Sequence, residues 1–331
     1  MRRLIVTGPR RAEFEDVTDP ECPPDGILVR ARLTAISVGT EIRVFRAQAV
    51  DEAGQFMHER IPFVLPTENG YSMVGDVVAV GKEVADFNVG DRVFTPSAHK
   101  EIDAVNSQLA IKLPESISDE QAVLLNILEV GHISLRRGNP APGENVAVVG
   151  QGVIGLAALA YGRAFGFRTV AIDISDERLE VSRQMGADLA VSPKQDGYVD
   201  RVQKLFDGAG ADLVIEAASR WDAIQTSMDV AADDARIVVA ARHTDSPEFN
   251  PVGHPYLGKK LTLLTSYGYA APGQRWDRHR SIGLTLELLK SGRLDIQPMI
   301  THRIKAASLP DMYRRLDEGE PSVVGVVVQW D

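Results

Sequence analysis

Cysteine is almost absent from this sequence, whose 331 residues include only Cys22. A lone cysteine excludes a disulfide within the chain and any metal site built from several cysteines, and it favours a reducing compartment. No apolar run approaches the roughly 18 residues that a membrane span needs, and the first residues become polar before a signal-peptide core can form. We therefore expect a cytoplasmic protein with no membrane partner.

Basic residues are in the minority, with 36 lysines and arginines against 46 aspartates and glutamates and a net charge of −10. Nucleic acids and anionic membranes are bound through basic surfaces, so neither is an expected partner. The composition, 44% hydrophobic and 25% charged, is that of an ordinary globular protein. The length exceeds one typical hydrophobic core and indicates about two domains.

The apolar pattern changes character along the chain. Up to about residue 115 it consists of short strands separated by turns, such as GILVRARLTAIS (26–37) and YSMVGDVVAVG (71–81), which is typical of a β domain. A helix is predicted from Ser118, which is followed by acidic residues and then by helical apolar spacing. Beyond it strands and helices alternate, which predicts a parallel sheet covered on both faces.

The segment NVAVVGQGVIGLAALAYGRAFG contains the spacing G-x-G-x-x-G directly after an apolar strand and at the start of a helix. In this context the glycines indicate a dinucleotide site, where helix N–H groups bind the pyrophosphate, although they also suit a plain tight turn. The predicted cofactor-binding residues of the loop are Gly150, Gly152, Val153, Ile154 and Gly155.

An acid closes the next predicted strand. Asp173 lies 23 residues after Gly150, close to the spacing expected of a group that accepts both ribose hydroxyls. Its charge would repel a 2′-phosphate, and Ile174 and Ser175 follow it rather than an arginine, so NAD(H) is the expected cofactor. Ile174 joins the predicted cofactor-binding set, as does Arg178, which either contacts the adenosine or is a solvated helix residue.

Several further segments accompany these motifs: VGTE (38–41), GYSMVGDVVAVG (70–81), VGDRV (89–93), DLVIEAAS and LLKSGRLDIQPMITHRI. Together they make the chain resemble the medium-chain dehydrogenase/reductase superfamily over nearly its whole length. The resemblance implies an α/β protein with a GroES-like β-barrel catalytic domain, residues 1–128 and 269–331, and a doubly wound Rossmann domain, residues 129–268. It also implies that segment 259–268 forms an edge strand that pairs across a homodimer.

The sequence departs from the zinc-dependent members at their metal site. Those members have cysteine where this chain has Val38 and histidine where it has Tyr71. The third metal position matches Asn126, or Glu129 in a shifted alignment. Because the thiolate and imidazole ligands are replaced, we predict no zinc.

Without a metal, hydrogen-bond donors and a general acid or base must manage the reacting oxygen. The positions that match the family's site suggest Tyr71, Thr40, His99 and Arg43 as catalytic candidates. Each also has an ordinary structural interpretation: a packed aromatic for Tyr71, a turn residue for Thr40, a loop residue for His99 and a surface charge for Arg43.

The predicted function is a zinc-independent NAD(H)-dependent oxidoreductase. It would interconvert a hydroxyl and a carbonyl on a small polar substrate such as a sugar, cyclitol or biosynthetic intermediate. One alternative is reduction of a conjugated C=C bond, as in zinc-free enoyl and quinone reductases. Another is a non-catalytic nucleotide-binding protein.

Overall fold

The computed structural model describes residues 1–48, 64–243, 245–266 and 275–330. The chain divides into two compact units, one of Met1–Asn126 with Ile300–Asp331 and one of Ile127–Met299. The predicted domains differ from this division at the C-terminal boundary, because residues 275–299 lie in the second unit rather than the first. No helix in the described part of the chain combines the length and the apolar character needed to cross a bilayer.

The strands, in chain order, are β1 (Arg2–Gly8), β2 (Arg11–Asp16), β3 (Gly26–Ala35), β4 (Thr67–Glu68), β5 (Met73–Val80), β6 (Arg92–Thr95), β7 (Ile102–Asn106), β8 (Ile111–Lys112), β9 (Asn145–Val149), β10 (Arg168–Ile172), β11 (Leu189–Val191), β12 (Ala211–Glu216), β13 (Ala231–Val239), β14 (Thr262–Thr265), β15 (Ile300–Lys305) and β16 (Gly325–Gln329). The α-helices are α1 (Val38–Phe45), α2 (Asp119–Ala122), α3 (Leu125–Gly138), α4 (Val153–Ala164), α5 (Asp176–Gln184), α6 (Tyr198–Leu205), α7 (Trp221–Val230), α8 (Arg278–Lys290) and α9 (Leu309–Asp317). Short 3-10 turns lie at Ser107–Leu109, Gln297–Met299 and Ala306–Ser308.

The first unit is built on antiparallel sheets. One has the strand order β2-β1-β4, and the larger one has the order β15-β16-β3-β5-β6-β8, with β7 also paired to β3. Only the β15–β16 pair in this unit is parallel among the described strands. Its core takes apolar side chains from both sheets and from helices α1 and α9, including Leu4, Ile27, Phe45, Met73 and Tyr313. The predicted β domain is confirmed.

The second unit holds one parallel sheet with the order β11-β10-β9-β12-β13-β14 in the described residues. The central strand β9 is buried at every position, as expected of a strand with helices over both faces. The sheet extends from β9 in both directions, with β10 and β11 on one side and β12, β13 and β14 on the other. Ligands of doubly wound sheets bind at the carboxyl ends of the strands where the order reverses in this way, which fixes where the dinucleotide site lies.

The helix predicted from Ser118 is present but interrupted. Ser118 forms a capping box with Gln121, so the predicted start is confirmed. Helix α2 then ends at Ala122 and α3 begins at Leu125. At the interruption the Ser72 hydroxyl donates a hydrogen bond of 2.6 Å to the Val123 carbonyl, which competes for that carbonyl with the helix ladder. A contact from 51 residues away thus divides a helix that local spacing presents as continuous.

Strand β14 ends the order of the second unit's sheet and lies within the segment 259–268 predicted to pair across a dimer. Residues 267 and 268 of that segment fall outside the described residues. The dimer stays a prediction.

Candidate active site

The glycine-rich loop joins β9 to α4 as the sequence predicted. Gly150 has φ +90°, and a Cβ placed on it would lie 2.7 Å from the amide nitrogen of Ala218. A Cβ on Gly155 would lie 1.8 Å from the Gly150 carbonyl oxygen, so any larger residue would push the helix away from the strand. At Gly152, the N-cap of α4, no heavy atom lies within 4 Å of such a position. The start of the helix is therefore open to a phosphate group, and Val153 and Ile154 form its first turn.

Asp173 lies just beyond β10 and is 6% exposed. Its Oδ2 accepts a hydrogen bond of 2.6 Å from the Gln151 N–H, and its Oδ1 accepts one of 2.9 Å from the Ser175 N–H. Each carboxylate oxygen can accept a second hydrogen bond, so both retain capacity for a ribose hydroxyl. The geometry thus holds the carboxylate directly beside the phosphate-binding loop and fits a dinucleotide.

Two of the other predicted cofactor residues follow Asp173. Ile174 is 54% exposed. Arg178 lies in the first turn of α5, and its Nε is buried without a hydrogen-bond partner among the described residues. Sequence reasoning missed Gln151, which is fully buried, donates to the Val148 carbonyl and accepts from the Ser182 hydroxyl. Its position between two motif glycines was the available signal.

A second acid closes β12 in the same unit and was also missed. Glu216 is fully buried, and its Oε1 accepts hydrogen bonds from the N–H groups of Ala218 and Ser219 at 2.7 and 2.8 Å. Its Oε2 lies 2.8 Å from Nε2 of His243, which follows β13. An acid ending an apolar strand, as Asp173 does, was the signal that could have identified it.

In the first unit, hydroxyl groups gather where α1 begins. The Tyr71 hydroxyl donates a hydrogen bond to the Ser37 hydroxyl and lies 3.5 Å from Oγ1 of Thr40. Ser37 is the N-cap of α1, and Thr40 in its first turn is exposed. We call Ser37, Thr40 and Tyr71 the hydroxyl cluster. Tyr71 and Thr40, predicted separately, are therefore brought together, while Arg43 lies about one turn further along the helix and is half-buried.

Burial raises the pKa of the Tyr71 phenol, and the nearby negative charge of Glu41 raises it further, against the lowering effect of its hydroxyl partners. A phenol with a raised pKa is protonated at neutral pH. Tyr71 is accordingly a hydrogen-bond and proton donor in its resting form.

Directly behind the hydroxyl cluster lies a buried polar network centred on Glu41, which is fully buried. Its Oε1 accepts a hydrogen bond of 2.7 Å from the Ser37 N–H. Its Oε2 accepts one from the Tyr313 hydroxyl and lies 2.9 Å from Nε2 of His99. Glu41 thereby fixes the position of Ser37, which is the N-cap of α1 and a member of the hydroxyl cluster.

His99 is 1% exposed, and both of its ring nitrogens are engaged inside the first unit. Nδ1 lies 2.7 Å from the Thr34 hydroxyl, which also accepts a hydrogen bond from Trp330 Nε1. The prediction that His99 is an acid or base for the substrate does not agree with this geometry. Its contacts are those of a residue that positions Glu41.

The residues at the positions of the family's zinc ligands fit a zinc ion poorly. Zinc sites use thiolate, imidazole and carboxylate ligands, whereas the first two positions hold Val38 and the phenol Tyr71. The third holds Asn126, whose side-chain amide donates to the Tyr71 carbonyl, or the carboxylate Glu129 in the shifted alignment. In the part of the chain that the structure describes, no three His, Cys, Asp or Glu side chains are grouped to hold a metal. The zinc-free state itself stays a prediction.

Two family models match the sequence, the alcohol dehydrogenase GroES-like domain over residues 23–110 and the zinc-binding dehydrogenase over residues 153–280. The chain belongs to the medium-chain dehydrogenase/reductase superfamily. The predicted fold class is confirmed, and the chain is a dehydrogenase/reductase that uses a nicotinamide cofactor.

Similar proteins align with this member of the superfamily over nearly their full length. D-guloside 3-dehydrogenase of Shigella flexneri is 28% identical and covers 97% of each chain. L-threonine 3-dehydrogenase of Aeromonas salmonicida is 29% identical and covers 96% of this chain and 95% of the other. Alcohol dehydrogenase TADH from Thermus sp. ATN1 superposes with a TM-score of 0.80 at 26% identity over 100% of both chains.

Proposed function

We propose that this protein is a zinc-independent, NAD(H)-dependent oxidoreductase that interconverts a hydroxyl and a carbonyl on a small polar substrate. A sugar, a cyclitol or a hydroxylated biosynthetic intermediate fits this description. The names of two relatives, a D-guloside 3-dehydrogenase and an L-threonine 3-dehydrogenase, support a small hydroxylated substrate. They favour hydroxyl and carbonyl chemistry over reduction of a conjugated C=C bond.

The observation that carries the proposal is the hydroxyl cluster. Its Tyr71 occupies the position of a histidine metal ligand in zinc-dependent relatives, and it supplies a protonated phenol in place of the metal. An oxygen that gains negative charge during a reaction is stabilised by donors aimed at it. Tyr71 is such a donor, and the exposed Thr40 connects the cluster to solvent.

The bound nicotinamide supplies or accepts the hydride. In the reducing direction, the Tyr71 O–H turns from Ser37 to the substrate carbonyl oxygen and gives up its proton as that oxygen gains charge. A hydroxyl can donate one hydrogen bond and accept others, so Ser37 and Thr40 are able to return a proton to Tyr71. In the oxidising direction the relay runs in reverse: Tyr71 passes its own proton through Ser37 and Thr40 to solvent as it accepts the proton of the substrate hydroxyl.

The preference for NAD(H) rests on Asp173. Its carboxylate is held by the N–H groups of Gln151 and Ser175, beside the loop that binds the pyrophosphate. In that place it accepts hydrogen bonds from ribose hydroxyls and repels the 2′-phosphate of NADP. We further propose that the protein acts in the cytoplasm as a homodimer.

The test is an assay of protein whose metal content is first measured by mass spectrometry. Purified enzyme, dialysed against a chelator, is mixed with NAD and a panel of polyols, glycosides and hydroxy amino acids, and NADH formation is followed by absorbance. We expect turnover that neither chelation nor added zinc changes. Activity that depends on stoichiometric zinc would overturn the zinc-free mechanism.

The same assay separates the other functions. Turnover confined to conjugated enones would identify a C=C reductase. Saturable NADH binding without turnover on any alcohol, carbonyl or enone would identify a non-catalytic nucleotide-binding protein.

A further inference from the structure

The loops after β12 and β13 are joined by one buried hydrogen bond between two side chains that the mechanism above does not use. Glu216, the last residue of β12, is fully buried, and its Oε2 lies 2.8 Å from Nε2 of His243. The His243 ring lies against the indole of Trp221, with the ring centres 4.9 Å apart. The other ring nitrogen, Nδ1, is shielded from solvent and has no partner among the described residues. The contact with Glu216 is therefore the only hydrogen bond in the described structure that the His243 ring makes.

The loop that Glu216 holds has a strained backbone. Ser219 has φ +61°, in the left-handed region that residues other than glycine adopt only at a cost in free energy. The Glu216 Oε1 accepts hydrogen bonds from the N–H groups of both Ala218 and Ser219. One carboxylate therefore stabilises an unfavourable turn through one oxygen and joins His243 through the other.

The same loop packs against the phosphate-binding loop. The Ala218 amide nitrogen would lie 2.7 Å from a Cβ on Gly150. A displacement of residues 217–219 would therefore alter the space beside the first motif glycine. Strands β9, β12 and β13 are neighbours in the sheet, so all three loops lie at the same carboxyl edge.

The sheet order assigns the two halves of a dinucleotide to opposite sides of β9. Asp173, at the end of β10, marks the side of the adenosine ribose. The loops after β12 and β13 lie on the other side, where the nicotinamide riboside half of the cofactor would bind. We propose that His243, acting through Glu216, is a positioning residue for the nicotinamide riboside half of the cofactor, an inference that rests on the proposed function.

The test compares the binding of NADH and ADP, because ADP contains the adenosine half and no nicotinamide riboside. Both are titrated by calorimetry into wild type, H243F and H243Q. Phenylalanine keeps a ring against Trp221 but loses the hydrogen bond to Glu216. Glutamine places an amide N–H near the position of Nε2 and can restore that bond.

H243F should bind NADH about tenfold more weakly than wild type, in line with the loss of a hydrogen bond to a charged group. Its affinity for ADP should stay within about twofold, and H243Q should recover most of the NADH affinity. H279F, which changes an exposed histidine of α8, is the matched control and should bind both ligands as wild type does.

Three results would overturn the inference. They are unchanged NADH binding in H243F, an equal loss of ADP and NADH binding, and rescue by H243N instead of H243Q, since asparagine reproduces the position of Nδ1. If H243F is too unstable to titrate, the comparison of H243Q with H243N decides. Failure of wild type to bind NADH would count against the proposed cofactor, which keeps the two proposals distinguishable.

Discussion

The Tyr71 hydroxyl donates a hydrogen bond to the hydroxyl of Ser37, the residue that caps helix α1. The Ser37 N–H is in turn held by the buried carboxylate of Glu41 at 2.7 Å. This relationship links a phenol that replaces a metal ligand to the rigid start of a helix. The phenol oxygen is thereby held in place, and only its O–H has to turn from Ser37 toward a substrate oxygen on which charge develops.

Removal of the Tyr71 hydroxyl should therefore abolish most of the activity. Tyr71→Phe is expected to lower kcat about 100-fold or more, the typical cost of losing one donor to a developing oxyanion. The affinity for NADH should change less than about twofold, because the substitution leaves the glycine loop and Asp173 intact. Steady-state kinetics and a fluorescence titration with NADH measure the two effects.

Tyr198→Phe is the matched control, since it removes a phenol hydroxyl that donates a hydrogen bond to Asp229 on helix α7. It should leave kcat unchanged within about twofold. Full activity in Tyr71→Phe would exclude the phenol from the mechanism, and the hydroxyl cluster would then be a structural feature of the first unit.

His99 should affect stability rather than proton transfer. His99→Phe removes one buried hydrogen-bond partner from the Glu41 carboxylate and one from the Thr34 hydroxyl, so we expect a loss of about 1–3 kcal/mol in the free energy of unfolding. The inflections of the pH–rate profile should stay where they are in wild type. Urea denaturation and kcat/KM measured against pH provide the readouts, and the loss of an inflection would instead show that the imidazole titrates during turnover.

Asp173 should control the choice between NAD(H) and NADP(H). Asp173→Asn keeps the shape of the side chain but removes its charge, which weakens ribose binding and removes the repulsion of a 2′-phosphate. The ratio of the NADPH to the NADH dissociation constant should fall about tenfold or more, consistent with the loss of hydrogen bonds to a charged group. Asp176→Asn, at an exposed acid in the first turn of α5, is the control. An unchanged ratio in Asp173→Asn would mean that another residue selects the cofactor.

The sequence was sufficient for features that depend on neighbouring residues. The strand, the glycine spacing and the acid of the dinucleotide site all lie within 29 residues, from Asn145 to Asp173. Each is fixed by local backbone geometry, so the pattern predicts the site without knowledge of the fold. The alternation of strands and helices likewise predicts the parallel sheet.

Features that depend on distant contacts could not be predicted in this way. The role of His99 is decided by Thr34 and Glu41, which lie 65 and 58 residues away. A histidine in a polar loop gives no local sign that both nitrogens are engaged. The Glu216–His243 pair and the interruption between α2 and α3 have the same origin, because each depends on a side chain brought in by the tertiary fold.

Two buried titratable residues on α3 should make stability depend on pH in opposite directions. Burial raises the pKa of Glu129 to about 7, despite Arg278, whose Nε lies 3.4 Å from the carboxylate. Burial lowers the pKa of His132 to about 4, and the charge of Arg136 adds to this effect. The Nδ1 of His132 lies 2.7 Å from the Ser281 hydroxyl. Both residues are 1% exposed, so both side chains lose most of their contact with water on folding.

The signs follow from proton binding. Between pH 4.5 and 7 the folded state binds a proton at Glu129 that the unfolded state has released, so this residue lowers stability as the pH rises. Between pH 4 and 6.5 the unfolded state binds a proton at His132 that the folded state lacks, so this residue raises stability as the pH rises. Each contribution amounts to about 3 kcal/mol at most, and the two largely cancel where their windows overlap.

Single substitutions should expose each contribution. The free energy of unfolding of Glu129→Gln, minus that of wild type, should rise from pH 4.5 to 7, because the variant lacks the carboxyl that becomes charged. The same difference for His132→Asn, whose amide can keep a hydrogen bond to Ser281, should fall from pH 4 to 6.5. Urea denaturation from pH 4 to 8 measures both differences. The free energy of unfolding of the double variant should show neither the Glu129 nor the His132 contribution to the pH dependence. Differences that share one sign, or that stay flat, would contradict the opposing pKa shifts of these two side chains.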